Sequence, residues 1–106
     1  MSDDKLEQLK QLAELDPDDA VVQYGLGCEY LRRGEYEAAT EALRRTVQLQ
    51  PDYSAAWREL GKALEKLDQR QAALDAYRQG HEVAQKKGDL QTVREIAVFL
   101  KRLEGS

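Results

Sequence analysis

The sequence predicts an all-α chain built as a stacked array of helical hairpins, and three observations carry that prediction. Residues 20–85 repeat themselves at a spacing of 34: a shift of that length lays Leu26-Gly27 on Leu60-Gly61, Tyr30 on Leu64, Ala39 on Ala73 and Leu43 on Tyr77. The chain is rich in Ala, Leu, Glu, Gln, Lys and Arg and poor in β-branched residues, which favours helix over strand throughout. Its two prolines, Pro17 and Pro51, each close one unit. A period of this length in helix-forming sequence means a solenoid whose exposed face is a binding surface. At 106 residues there is room for one domain and not for two.

Leu6, Leu9, Leu12 and Ala13 recur at three- and four-residue steps, which predicts a first helix with one apolar stripe, ending near Leu15. Pro17 disfavours helix at Asp16, and Asp18 or Asp19 can accept hydrogen bonds from the free amides that open the next helix. That helix is predicted over about 20–33, with Gly34 supplying a left-handed turn after it and a partner helix over about 36–49. The second copy opens near Ser54 and runs to about Leu67. Asp68 stands at the turn where the first copy has Gly34, and Asp is one of the few non-glycine residues that tolerate that conformation. Gln85 replaces Pro51, so the helix that starts near Arg70 continues to Lys87 and ends at Gly88. A last helix over about 89–103 carries Leu90, Val93, Ala97 and Leu100 as one stripe, widened by Ile96 and Phe99. Residues 104–106 read as a frayed tail.

The run Trp57-Arg58-Glu59-Leu60-Gly61-Lys62-Ala63-Leu64, followed by Ala73 and Tyr77, resembles the tetratricopeptide repeat. The first copy matches through Leu26, Gly27, Tyr30, Gly34, Tyr36, Ala39, Leu43 and Pro51, with Gln23 in place of Trp57. The resemblance implies a right-handed helical-hairpin solenoid. Its two full repeats, 20–53 and 54–87, would be flanked by an N-terminal half-repeat helix at 3–19 and a C-terminal capping helix at 88–103. It also implies that the first helix of each pair lines a concave groove, with Gly27 and Gly61 letting the pair close where Ala39 and Ala73 leave room. Carried over position by position, the groove would present Val21, Tyr24, Cys28, Leu31 and Arg32 from the first copy. The second copy would add Ala55, Arg58, Lys62, Glu65 and Lys66. One apolar wall and one charged wall suit a peptide with an apolar anchor and an acidic group. Some family members clamp a terminal carboxylate with lysines and asparagines, but Tyr24, Cys28 and Lys62 depart from that donor set.

Two pairs are fewer than the roughly three repeats that such arrays need for stability, so flanking half-units or self-association should compensate. Ile96 and Phe99 are the candidate self-association residues, with a homodimer through the last helix as the alternative to a groove-binding adaptor. Closure of the groove end within one chain is the rival explanation for that apolar excess.

Other chemistry finds little support in the residue types. The resemblance implies that the lone Cys28 lies on a groove helix and the lone His81 on a convex-side helix, which opposes a thiol–base pair, and neither has the company a zinc site needs. No cofactor, metal or catalytic set is therefore expected, and the chain is read as non-enzymatic. Asp3-Asp4 and Asp18-Asp19 lack calcium-loop spacing and suit helix capping. Trp57 belongs to the core at the repeat's large apolar position. Arg32-Arg33, Arg44-Arg45 and Lys86-Lys87 are interleaved with Glu in a chain of net charge -4, which argues for solvated faces and against nucleic acid. The acidity lies at the start, where residues 1–19 hold seven carboxylates against two lysines. No apolar run approaches the roughly 20 residues that span a bilayer. With no export signal visible and a single thiol, the expected location is the cytoplasm.

Overall fold

Six helices follow one another with short turns: α1 (Asp3–Leu15), α2 (Ala20–Arg32), α3 (Tyr36–Leu49), α4 (Ser54–Lys66), α5 (Arg70–Lys87) and α6 (Leu90–Glu104). The computed structural model describes residues 3–105, with side chains from residue 5 onward. The capping expected of the Asp3-Asp4 side chains, and Ser106 of the expected tail, lie outside the described residues. Glu104 belongs to α6 rather than to a tail.

The helix ends form where the backbone chemistry allows them. Asp19 caps α2 by accepting from the amides of Val21 at 3.0 Å and Val22 at 3.2 Å, a cap that contributes about 1 kcal/mol. After α2 the chain reverses through Gly34 at φ 80, with the Glu35 amide donating to the Tyr30 carbonyl at 2.9 Å. The same paired turn recurs after α4, where Gln69 donates to Leu64 at 3.0 Å and Asp68 sits at φ 58 in the left-handed region. It recurs once more after α5, at Gly88 with φ 74. Three helices thus end alike, and Asp68 is the one that does so without a glycine.

Helices α2 and α3 pack as one antiparallel pair and α4 and α5 as another, with α3 also against α4, α5 against α6 and α1 against α2. Thinner contacts join α2 to α4 and α4 to α6, so these three lie side by side while α1, α3 and α5 form the other layer. Pair closure depends on missing side chains. A Cβ on Gly27 would lie 2.5 Å from Leu43 Cγ, and one on Gly61 would collide with the Tyr77 ring. At Gly80 a Cβ would come within 2.7 Å of Trp57 Cβ, so α5 meets α4 closely there as well. Ala39 and Ala73 are fully buried at these crossings.

The main core runs from α3 through α6, centred on Leu43, Leu64, Tyr77 and Ile96, each almost wholly buried. A separate small cluster of Leu6, Leu26 and Ala42 holds α1 to the first pair. Trp57 is half-buried against the main core, and its indole Nε1 donates to the Pro51 carbonyl at 2.8 Å. Buried Thr46 satisfies its hydroxyl within α3 by donating to the Ala42 carbonyl at 2.9 Å.

The last helix turns a different face inward from the expected one. Thr92, Ile96 and Leu103 are buried, whereas Leu90 is 60% exposed and Ala97 is exposed. Ile96 therefore sits in the core beside Gly80 and is not a surface residue for self-association. Phe99 is half-buried against Tyr77, with ring centroids 5.2 Å apart. The reason is tertiary: α6 settles against both α5 and α4, and that seam selects the stripe, including a threonine that hydropathy alone passes over.

Candidate functional site

The face made by α2, α4 and α6 brings most of the expected groove residues together. Tyr24 from α2 stacks on Tyr53, with centroids 4.8 Å apart and ring planes at 28°. Burial, followed by a hydrogen bond to Cys28, pushes the Tyr24 phenol above its ordinary range. Cys28 is half-buried behind it, and burial raises its thiol too, so it stays protonated and a poor nucleophile at neutral pH. Val21 is 66% exposed at the open end, and Leu31 is half-buried further along.

The charged wall is more heavily paired than its residue types suggested. Arg58 is largely enclosed and bridges two carboxylates, its Nε donating to Glu59 at 2.7 Å and an Nη to Glu95 at 2.6 Å. It ties α4 to α6 and is a structural strut rather than a free cation. Lys62 lies 3.3 Å from Glu59 and 5.7 Å from the centre of the Phe99 ring. Glu65 accepts from both terminal nitrogens of Arg102 at 2.9 Å and from the Tyr77 hydroxyl at 2.6 Å. Burial works to raise that carboxyl, but the bonds from Arg102 and Tyr77 outweigh it and lower it overall. Arg32 is held by Glu29, a buried carboxylate that also receives Arg33 at 2.9 Å. Those hydrogen bonds, Arg32's first, bring Glu29 down to about 2. Lys66 is exposed at the rim.

Between these groups opens a hollow of about 430 Å³, lined by Leu31 and Tyr36 on one side, Phe99 on the other, and Lys62, Lys66 and Arg102 around it, with Glu65. Arg102 stands 5.8 Å from the centre of the same Phe99 ring that Lys62 approaches. The hollow thus has an apolar floor and three cations around it, of which Arg102 is held by Glu65 and Lys62 by Glu59.

Several of these residues escape a reading by the 34-residue period. Tyr36 belongs to the second helix of its pair, and Tyr53 precedes its helix. Glu95, Phe99 and Arg102 lie on α6, which occupies the third place beside α2 and α4 although it lacks the Leu-Gly pair. The available signal is the helix starts, 54 and 90, which lie 36 apart because α5 runs past the place of Pro51. His81 lies on α5, in the other layer from Cys28. Among the described residues no cluster of His, Cys, Asp or Glu has the arrangement of a metal site, and no helix is long and apolar enough to cross a membrane.

Stacked helical hairpins with one side-by-side layer forming an open face define a helical-repeat solenoid. The comparisons with known proteins give that class its family. A family model described as TPR repeat matches residues 27–68. A TPR repeat-containing protein of Pseudomonas aeruginosa is 38% identical over 99 residues, which cover 93% of this chain and 94% of that protein. A solution structure from Bordetella parapertussis is 35% identical with a TM-score of 0.80, covering 93% of this chain and 86% of that one. The TPR2B domain of yeast Sti1, in a complex with pHsp70, superposes with a TM-score of 0.88 over 94% of this chain and 80% of that one; at 12% identity that likeness concerns the fold alone. This chain belongs to the tetratricopeptide repeat family.

Proposed function

We propose that this chain is a non-enzymatic adaptor, folded as one unit, that binds a peptide or protein segment across α2, α4 and α6. The observation that carries the reading is the hollow in which two cations approach the Phe99 ring, Lys62 at 5.7 Å and Arg102 at 5.8 Å from its centre. An apolar side chain can fill that space, and a neighbouring Asp or Glu can reach Lys66 or Lys62 at the rim. Tyr24 and Val21 extend the contact area toward the other end. The yeast Sti1 domain, solved with pHsp70, supports the reading by fold. The reading belongs to a cytoplasmic setting, where the single thiol stays reduced.

A displayed library of random peptides, selected on the purified protein, tests this. Enriched sequences should pair a bulky apolar residue with an acidic one and bind in the micromolar range, about -8 kcal/mol. Phe99→Ala and Lys66→Glu should each weaken them roughly tenfold, a loss of about 1.4 kcal/mol. Peptides that bind both variants as tightly as wild type would remove the hollow as the site.

A further inference from the structure

The two ends of the array expose opposite halves of the same hairpin. Shifted by 36, α6 overlays α4, with Val93 on Trp57, Ala97 on Gly61 and Leu100 on Leu64. On α4 these positions meet α5: Gly61 faces Tyr77 and Trp57 faces Gly80. On α6 the corresponding face is open at Ala97, with Val93 half-buried and Leu100 resting on the main core at its inner edge, while Leu90 and Val98 are 60% and 64% exposed. At the other end, α1 overlays α3 with a shift of 34, putting Leu9 on Leu43, Leu12 on Thr46 and Leu15 on Leu49. Leu43 and Thr46 are wholly buried in their hairpin, whereas Leu12 is 47% and Leu15 83% exposed. Four of the five large apolar residues exposed in the described part of the chain therefore lie at these two ends, the fifth being Val21.

We infer that the α6 end of one copy receives the α1 end of a second copy, so that α6 and the incoming α1 complete a hairpin and the array continues from chain to chain. The pairing reproduces packing that the chain already uses between α2 and α3 and between α4 and α5. Antiparallel docking sets exposed Leu15 near Leu90 and Leu12 near Val93, and brings the outer edge of Leu9, whose inner side rests on Gly25 of its own α2, to Ala97, the smallest side chain on that face. It also brings the second copy's α2 beside Val98, as α6 lies beside α4. Charge favours the same arrangement. Among the side chains described, α1 and the turn after it carry Glu7, Glu14, Asp16, Asp18 and Asp19 against Lys5 and Lys10, and this acidic end approaches Arg94 and Lys101, which α6 exposes. Because the two surfaces differ, the contact is head-to-tail and propagates unless it closes into a ring. The inference is independent of the peptide-binding reading, since it uses the ends of the array and not Phe99 or the hollow.

The test is sedimentation velocity with two variants, each first shown by circular dichroism to keep its helix content. Leu12→Glu/Leu15→Glu spoils the α1 end, and Leu90→Glu/Ala97→Glu spoils the α6 end. Wild type should grow in mass beyond a dimer as its concentration rises toward about 1 mM, the range of weak specific association. Each variant alone should stay monomeric, and an equimolar mixture should double in mass, because each supplies the end that the other lacks. The inference fails if wild type remains monomeric up to that concentration, or if the mixture does. It fails equally if the α1-end variant still dimerises alone, which would mean that two α6 faces pair symmetrically.

Discussion

In the second hairpin a tyrosine ring, Tyr77, lies over Gly61 and a tryptophan braces the outer turn, whereas the first hairpin closes with the smaller Leu43 over Gly27 and has Gln23 where Trp57 would stand. The second is surrounded by the main apolar core on both sides. The first depends on its neighbours: Leu43 reaches into that core, but its outer flank is held by a small cluster of buried Leu6, Leu26 and Ala42 with half-buried Leu9, Ala13 and Tyr30 around it, and by the ionic cluster around Glu29. Family geometry is therefore set by the small residues at the crossings, while stability is set by what fills the space around them. Equal backbones here do not imply equal strength.

The sharpest way to test that imbalance is to remove one large side chain from each region. Tyr77→Ala should cost about 3–5 kcal/mol, since it empties a fully buried site. Leu6→Ala should cost only about 2 kcal/mol, at the low end for a buried leucine, because the site lies at the edge of a small cluster. Chemical denaturation measures both, and equal losses would erase the distinction.

A smaller effect, visible through pH, is expected at Glu29. Its carboxyl is lowered from 4.5 to about 2 in the folded chain, so its stabilising contribution is complete above pH 4.5 and disappears as pH falls toward about 2. Glu29→Gln should therefore be less stable than wild type at neutral pH, with the gap narrowing across that acid window. Urea melts at a series of pH values would show it; a gap that is constant with pH would mean that the ionic cluster does not hold the first hairpin.

The smallest effect concerns the turn at Asp68. Asp68→Gly should leave the melting temperature unchanged or slightly raised, whereas Asp68→Val should cost about 1–2 kcal/mol, because a β-branched side chain collides with the backbone at φ 58. Thermal melts of both variants decide the matter, and a wild-type value for Asp68→Val would be inconsistent with the turn described.

Much of this architecture could be read from the chain because its causes are local. Capping aspartates, Gly34 and Asp68 act within a few residues, and the helix limits inferred from them agree with the structure to within a residue or so. What could not be read was set at long range. Arg58 looks like an available groove cation until Glu95, 37 positions away, closes on it. The inward face of α6 depends on the extra length of α5, which shifts the third helix of the layer out of the 34-residue phase. Two stripes on α6 satisfy helical spacing equally well, and only the neighbouring helices choose Ile96 for the core.

Trp57 is the chain's one tryptophan; its Cβ lies against Gly80 of α5, and its indole reaches the Pro51 carbonyl at the start of the second hairpin. The protein thus carries its own optical probe, placed on one side of the imbalance. Emission from that ring should report loosening of the second hairpin and stay nearly silent while α1 peels away, so fluorescence and far-ultraviolet dichroism need not trace the same unfolding curve.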